Sequence, residues 1–352
     1  MTFAVRDLFR FWPTKPKEPS TRPEDKGGST DRDSVKLGER SASLVTDAIA
    51  VAQFAGSGFL YKEAAKEAAA QLGEKPPLFD APVVKLEDPF LIAPGWTTLP
   101  EKFDNLIEHL LKAPENGDRA VYLKEGRAFK DQDCTKATDI RESDKIFVAV
   151  YDDVLSPPSE TASQVDTSVS MIKAVHGEKV DVLGYSMGGL AVRKMLDETA
   201  QTVDQVAYLG TAHRGTRFAA LANYVIRRDI NFAMNLGNLH AGHLPAMQWM
   251  LPENPDGTTP NTNLVELNSP TSLEKQRSQA TEMLNIGSRN LATITKPWGG
   301  TVGGDGLVQN SSVQLDGVPT VLLNGRGTKQ HGFLPSDTNV FQELADFFGW
   351  KA

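Results

Sequence analysis

The sequence contains only one cysteine, Cys134, among 352 residues. A single thiol excludes an internal disulfide and fits a reducing compartment. Cys134 stands in the polar stretch KDQDCTK, which lacks the strand–turn–helix context that presents a nucleophile. We therefore expect Cys134 to be an ordinary residue with no part in catalysis.

Clusters of basic residues are also missing. The formal net charge is −8, whereas a surface that binds nucleic-acid phosphates needs grouped Lys and Arg. We therefore expect no nucleic-acid partner. The chain has 40% hydrophobic and 23% charged residues, a composition that is ordinary for a globular protein, and its length allows a sizeable core.

The sequence lacks an apolar run suited to crossing a membrane. The longest such run, residues 43–61, contains Asp47 and two glycines. Residues 1–12 have no secretory apolar region, because Arg6 and Asp7 interrupt it. We expect a cytoplasmic protein. Its first residues are interpreted as a loosely docked tail, and a short anchor in peripheral contact with a membrane surface is the alternative.

Composition divides the chain into three parts. Residues 1–42 include a long stretch rich in Pro, charged residues, Ser and Gly, which predicts a disordered tail. Residues 43–81 contain many good helix formers and predict a helical N-terminal extension. Over 82–352, apolar runs alternate with amphipathic stretches, which predicts an α/β domain with a mostly parallel sheet flanked by helices. An insertion over about 217–280 predicts a helical cap.

One motif stands where a predicted strand meets a predicted helix. The strand over 180–184 runs into GYSMGG and then into a helix over 187–199. This is the G-x-S-x-G pattern of a serine on a tight turn, and Ser186 takes the strained position that exposes its Oγ. A serine hydroxyl is a poor nucleophile and needs a base, which in turn needs a carboxylate to orient it. Ser186 is therefore the candidate nucleophile.

The candidate base is His331. In chains with this motif, the acid and then the histidine follow the serine. His331 comes after a predicted strand over 320–324 and before the last predicted helix. The other five histidines precede Ser186, follow it too soon to leave room for an acid-bearing strand, or lie in the insertion. They are His109, His176, His213, His240 and His243.

The acid is expected in the loop between the predicted strands over 282–288 and 320–324. Asp305, in the glycine-rich stretch GGTVGGDGLV, is favoured because it leaves more loop to reach His331. Asp316, in LDGVP, is the alternative. Either aspartate would also suit an ordinary Asp-Gly turn.

Two backbone N–H groups are candidates for an oxyanion hole. Met187 begins the helix after Ser186, so its N–H points at an oxyanion forming on the substrate. Trp96 follows Gly95 in the loop after the first core strand, where the second donor is expected. An ordinary strand-ending turn is the other interpretation of that loop. Such a site uses no metal and no cofactor, and we expect neither.

Five segments in the order GYSMGGLAVRKML, LGTAHRGT, NLVELN, GGDGLVQNSS and KQHGFL resemble the α/β-hydrolase lipases. The resemblance covers about residues 82–350 and is nearest to bacterial triacylglycerol lipases and GPI inositol-deacylase-like serine esterases. It implies the α/β-hydrolase fold. It also implies a nucleophile, an acid, a base and two oxyanion N–H donors, which are respectively Ser186, Asp305, His331, Met187 and Trp96.

The chain departs from the usual pattern of these lipases at two positions. Tyr185 stands where the serine turn usually has histidine, and Pro94 precedes Gly95 where the oxyanion loop usually reads His-Gly. Neither change removes a member of the predicted catalytic set. Both leave the substrate class open.

The sequence thus predicts a serine hydrolase acting on a small-molecule or lipid ester with an apolar acyl chain. The insertion is rich in Leu and Met, and its side chains are expected to pack the cap on the domain or to line an acyl pocket. An acyltransferase or a phospholipase on the same fold is one alternative. A catalytically silent binding module is the other.

Overall fold

The computed structural model describes most of the predicted α/β region. The described residues are 81–220, 223, 241–253, 260–289, 291–294, 301–324, 329 and 331–352. All of them belong to one compact unit of the chain. The predicted tail over 1–42 lies outside the described residues, and so does the helical extension except for Ala81. Within the predicted cap, most of residues 221–240 lie outside them as well.

Short strands, mostly of buried residues, carry the fold. In chain order they are β1 (Phe90–Ala93), β2 (Ala120–Lys124), β3 (Arg127–Phe129), β4 (Ala137–Thr138), β5 (Ile146–Ala149), β6 (Asp181–Tyr185), β7 (Val203–Leu209), β8 (Ala280–Ser288), β9 (Leu291–Ile294), β10 (Thr301–Gly304) and β11 (Thr320–Leu323). The central sheet has the order β11-β8-β7-β6-β1-β5-β2-β3-β4, and β9 pairs separately with β10.

Most strand pairs in this sheet are parallel, as predicted. From β11 to β2 every neighbouring pair is parallel, and β3 and β4 extend the edge in antiparallel pairing. After β1 the chain forms β2 to β5 on one side of β1, and β6 then pairs with β1 on its other side. The connections that leave β1 and β6 therefore run in opposite directions along the carboxyl edge of the sheet. Ligands bind at such a point in folds of this kind.

Helices cover both faces of the sheet. They are α1 (Asp104–Leu110), α2 (Pro158–His176), α3 (Met187–Glu198), α4 (Leu244–Trp249), α5 (Thr262–Leu267), α6 (Pro270–Ser278), α7 (Asn310–Val313) and α8 (Thr338–Phe347). Phe90 and Ile92 of β1 pack in one apolar cluster with α1 and α8. Leu91 and Ala93 pack in another with α2, α3 and α6. Because successive strand residues face opposite sides, a doubly covered strand reads as a continuous apolar run.

A third apolar cluster lies over the start of α3. Met187 and Leu190 of α3 pack there with Met247 and Trp249 of α4 and Leu264 of α5. These helices come from the segment predicted as a cap. The same segment also contains α6, whose Leu273 packs in the cluster beneath the sheet. Part of the insertion therefore belongs to the layer of helices that flanks the sheet.

Two features near the edges of the sheet show how local sequence sets local structure. A hairpin with Glu125 and Gly126 at its turn joins β2 to β3, and both turn residues have positive φ, 50° and 68°. Before β1, Lys85 forms an isolated bridge with Lys351 near the end of the chain. Across the described helices, none is both long and apolar enough to cross a membrane.

Candidate active site

Ser186 lies on the tight turn between β6 and α3. Its φ of 54° and ψ of −126° place it in a region that residues with a side chain rarely adopt. The Ser186 N–H donates to the carbonyl oxygen of Leu209 at 2.8 Å, which ties the turn to β7. Because α3 begins at Met187, the turn presents the Ser186 hydroxyl at the carboxyl edge of the sheet.

Two glycines allow the chain to crowd around this turn. A Cβ added at Gly95 would lie 2.7 Å from the Ser186 Cβ and 3.2 Å from its Oγ. A Cβ added at Gly188 would overlap the carbonyl oxygens of Ala93 and Pro94. The loop after β1 therefore lies directly against both the serine and the first turn of α3.

His331 lies between Ser186 and Asp305. Its Nε2 is 2.8 Å from the Ser186 Oγ, and its Nδ1 is 2.7 Å from the Asp305 Oδ2. A carboxylate only accepts hydrogen bonds, so this pattern assigns the ring proton to Nδ1 and leaves the Nε2 lone pair facing the hydroxyl. The structure thus brings the three predicted side chains into one hydrogen-bonded chain.

The carboxylate of Asp305 is fully buried and well supplied with donors. Its Oδ1 accepts from the backbone N–H groups of Leu307 at 3.0 Å and Val308 at 2.7 Å. The carbonyl oxygen of Leu307 in turn accepts from the hydroxyl of Thr216, on the loop after β7. A buried charge needs such partners, and here both carboxylate oxygens have them.

Asp316, the alternative acid, lies elsewhere. Its side chain is 72% exposed, and its Oδ1 accepts from the Arg214 Nη2 at 2.7 Å. Arg214 also lies 3.7 Å from Glu253, so that it joins the loop after β7 to two acidic groups. Of the two candidate aspartates, the structure therefore places only Asp305 against His331.

The segment LGTAHRGT belongs to a structural network. His213 is fully buried, and its Nε2 lies 2.9 Å from the Asn285 Oδ1. Burial lowers the pKa of His213 well below its usual value, and nearby Arg193 lowers it further. His213 is therefore a neutral, enclosed imidazole that contacts Asn285.

Arg193, on the inner face of α3, was not anticipated from the sequence. It is fully buried, and burial lowers its pKa to about 10. Neutral acceptors hold it at 2.8 Å, namely the side-chain oxygens of Gln276 and Asn268 and the carbonyl oxygen of Leu267. The one available signal for its burial was its position among the apolar residues of the helix that follows Ser186. Its role is to join α3 to α5 and α6.

The two candidate oxyanion donors flank Ser186. Met187 follows the serine directly, and Trp96 follows Gly95, whose backbone lies against the serine side chain. Neither N–H donates to an acceptor within the described ranges. The indole of Trp96 packs in the cluster over α3, edge-on to His243 with ring centres 5.2 Å apart.

Tyr185 is a further residue of the site that sequence reasoning missed. Its hydroxyl donates to the carbonyl oxygen of His331 at 2.7 Å. The only signal in the sequence was its departure from the histidine usual at that position.

Two other expectations concern Cys134 and metals. Cys134 is half-buried, its thiol lies 3.8 Å from the carbonyl oxygen of Gln132, and burial raises its pKa. A raised thiol pKa disfavours the reactive thiolate. Within the described ranges, no group of three or more His, Cys, Asp and Glu side chains is arranged to hold a metal ion.

Comparisons with known proteins give distant similarities. No protein-family model matches the chain. Triacylglycerol lipases of Pseudarthrobacter phenanthrenivorans and Burkholderia plantarii are each 33% identical to it over 88 residues, which is 24% of this chain. The match spans 28% of the first relative and 25% of the second, about a quarter of their length.

Among solved structures, a mature lipase of Bacillus licheniformis is similar over 76% of this chain and 94% of its own, with 15% identity and a TM-score of 0.47. The topology of the chain itself identifies the fold. Ser186 follows a central parallel strand. Asp305 and then His331, which are linked to it by hydrogen bonds, come later in the sequence. This is the arrangement of the α/β hydrolases, and the described part of the chain has the α/β-hydrolase fold.

Proposed function

We propose that this protein is a serine hydrolase that cleaves carboxylic esters with an apolar acyl chain. Ser186 is the nucleophile, His331 the general base and Asp305 the acid. The observation that carries the proposal is the hydrogen-bonded chain with its distances of 2.8 Å and 2.7 Å. A binding module has no need of all three groups in this relationship.

In the first half of the reaction, the Ser186 Oγ attacks the ester carbonyl carbon. Its proton passes to the Nε2 of His331, and the resulting imidazolium is stabilised by the carboxylate of Asp305 through Nδ1–H. The carbonyl oxygen becomes an oxyanion, which the N–H groups of Met187 and Trp96 bind. Collapse of this intermediate expels the alcohol, which takes the proton from His331 and leaves an acyl-serine.

In the second half, water replaces the alcohol. His331 removes a proton from the water as it attacks the acyl-serine, and returns it to the Ser186 Oγ when the acid leaves. The same base therefore serves both halves. An alcohol or amine in place of water would make the reaction an acyl transfer, which needs no change in these residues.

The apolar preference rests on what surrounds the nucleophile. Met187 begins α3 and packs, together with Trp96, against Met247 and Trp249 of α4. A substrate chain entering beside Ser186 thus meets apolar side chains, and each methylene that leaves water contributes about 0.8 kcal/mol. The name triacylglycerol lipase of the two relatives agrees with this class.

A fluorophosphonate probe tests the proposal. We expect the wild type to be labelled once and Ser186→Ala to be unlabelled, because the probe reacts only with an activated serine. Ser168→Ala is the control, since Ser168 is buried on α2 and its hydroxyl donates to the Gln164 carbonyl oxygen. An unlabelled wild type would favour the silent binding module. Labelling that survives in Ser186→Ala would refute the choice of nucleophile.

A series of p-nitrophenyl esters with increasing acyl length then defines the substrate. An alcohol acceptor is then added to the assay. If p-nitrophenol release rises and the acyl product is a new ester instead of an acid, the reaction is acyl transfer. Release of acid that is indifferent to the alcohol identifies hydrolysis.

A further inference from the structure

Tyr185 touches the proposed base in two ways. Its hydroxyl donates to the carbonyl oxygen of His331 at 2.7 Å. Its ring stacks on the imidazole with centres 5.4 Å apart and planes inclined by 28°. The tyrosine is 2% exposed, so both contacts are made away from solvent. The residue before the nucleophile thus contacts the backbone and the ring of the base.

The position of Tyr185 is itself fixed. It is the last residue of β6, where it pairs with Leu209 of β7. Its ring makes a T-shaped contact with Phe103, with ring centres 5.6 Å apart and planes at 88°, inside the cluster that covers one face of the sheet. A hydroxyl carried by a packed ring on a central strand is a rigid reference point for His331, which begins the short 3-10 helix His331–Ser336.

The other contacts of the His331 backbone complete this arrangement. Its N–H donates to the carbonyl oxygen of Asp305 at 3.0 Å. One peptide further on, the Gly332 carbonyl oxygen accepts from the Lys102 Nζ at 3.0 Å. The acid therefore holds His331 at its N–H, Tyr185 holds it at its carbonyl, and Lys102 holds the next peptide.

We propose that Tyr185 is a positioning residue for His331, with Lys102 as a second, weaker anchor. This inference rests on the proposed function. Proton transfer requires the Nε2 of His331 to stay within hydrogen-bond reach of the Ser186 Oγ and of the departing alcohol oxygen, and misplacement of about 1 Å costs roughly a hundredfold in rate. Tyr185 keeps the imidazole in that range by fixing the peptide from which it projects.

The test compares Tyr185→Phe with Tyr208→Phe. The first change removes the hydroxyl and keeps the ring, which leaves the His331 carbonyl without this donor. Tyr208 is the matched control, because it is fully buried on the neighbouring strand β7 and meets His213 edge-on at 4.9 Å. Its hydroxyl has no hydrogen-bond partner among the described residues. Removal of an unpartnered hydroxyl is expected to be neutral.

We expect Tyr185→Phe to lower kcat about tenfold with KM unchanged, since the base acts in the chemical steps and not in binding. Tyr208→Phe is expected to stay within twofold of the wild type. Lys102→Met, which alters an exposed side chain, is expected to lower kcat about twofold to threefold in the same manner.

A second measurement does not depend on turnover. The Nδ1 proton shared by His331 and Asp305 gives a low-field proton NMR signal, which is assigned by its loss in His331→Ala. Tyr185→Phe should shift or broaden this signal, and Tyr208→Phe should leave it unchanged. A general loss of stability would move both variants alike.

The outcomes separate the two proposals. A kcat loss specific to Tyr185→Phe together with a changed signal supports the positioning role. A kcat within twofold of the wild type, a loss that Tyr208→Phe reproduces, or an unchanged signal overturns it. If Ser186 of the wild type fails to react with the fluorophosphonate, the proposed function is wrong and the signal alone decides. If Tyr185→Phe does not fold, the kcat of Lys102→Met decides in its place.

Discussion

Asp305 contacts His331 at two points, one on the ring and one on the backbone. Its Oδ2 lies 2.7 Å from the Nδ1, and its carbonyl oxygen accepts from the His331 N–H at 3.0 Å. The backbone contact is independent of the aspartate side chain. A change confined to the carboxylate can therefore alter the chemistry of the base while the loop stays in place.

Asp305→Asn and His331→Ala are each expected to leave a folded protein whose kcat/KM is lower by at least about a thousandfold. The asparagine keeps the backbone contact but no longer fixes the tautomer or stabilises the imidazolium. Asp316→Asn is the control, because that carboxylate pairs with Arg214 at the surface. Ester turnover by the three purified variants checks the assignment. A larger loss in Asp316→Asn than in Asp305→Asn would show that the acid has been misassigned.

Gly95→Ala is expected to reduce fluorophosphonate labelling of Ser186 by about a hundredfold or more. The added methyl group would lie 2.7 Å from the Ser186 Cβ, so the serine or the loop after β1 must move. Gly177→Ala provides the contrast, since Gly177 has a φ of 88° and open space around it. That variant should lose stability and keep its labelling rate. Equal labelling of Gly95→Ala and the wild type would contradict the close approach.

Burial of Asp181 is expected to make stability depend on pH. Burial first, and then the charges of Asp88 and Asp204, raise its pKa to about 8. The folded state therefore holds this proton more tightly than the unfolded chain, and its contribution to stability, fully present below about pH 4, is lost as pH rises toward 8. Asp181→Asn should flatten this decline and raise Tm at pH 9 by about 3 °C or more.

The measurement for Asp181 is calorimetric Tm between pH 5 and 9. Asp133→Asn is the control, because Asp133 is exposed and its change should leave the difference between pH 5 and pH 9 as in the wild type. A Tm profile of Asp181→Asn that parallels the wild type would show that the carboxylate is ionised in the folded protein throughout this range.

Trp96 is expected to limit acyl length. In the wild type, kcat/KM should rise by roughly fourfold for each added methylene and then reach a plateau where the pocket ends. Trp96→Ala should move the plateau to longer chains and leave kcat on short esters within about threefold, because the proposed oxyanion donor is the backbone N–H. Trp350→Leu, in the cluster on the other side of the sheet, should leave the profile unchanged. A steady fall from the acetyl ester onward would refute the apolar pocket.

Much of this site could be anticipated from the residues alone. Ser186 was identifiable because its motif fell between a buried strand and a helix, and His331 because position excluded the other histidines. The choice between Asp305 and Asp316 could not be made on chemistry, since each precedes a glycine in a loop of similar character. The contacts that separate them, backbone donors from Leu307 and Val308 in one case and Arg214 in the other, depend on tertiary folding.

Other features left weak or misleading signals. Helix α6 was assigned to the cap, although its Leu273 packs in the layer that flanks the sheet. A helix that packs by a few such residues cannot be distinguished by its sequence from a helix that covers a site. The paired strands β9 and β10 were missed, since the glycines between them suggested only loop. The roles of Tyr185 and Arg193 could not be predicted, because the acceptors they contact are distant in sequence.

The order of strands in the sheet has a consequence for biosynthesis. His331 is 145 residues after Ser186, and it follows β11, which pairs with the sheet only through β8. A ribosome that adds about 5–20 residues per second makes the serine roughly 7–30 s before its base. During that interval the serine turn lacks its proposed base. Under the proposed function, a nascent chain gains activity toward esters only after β11 has joined the sheet and His331, which follows β11, has reached Ser186.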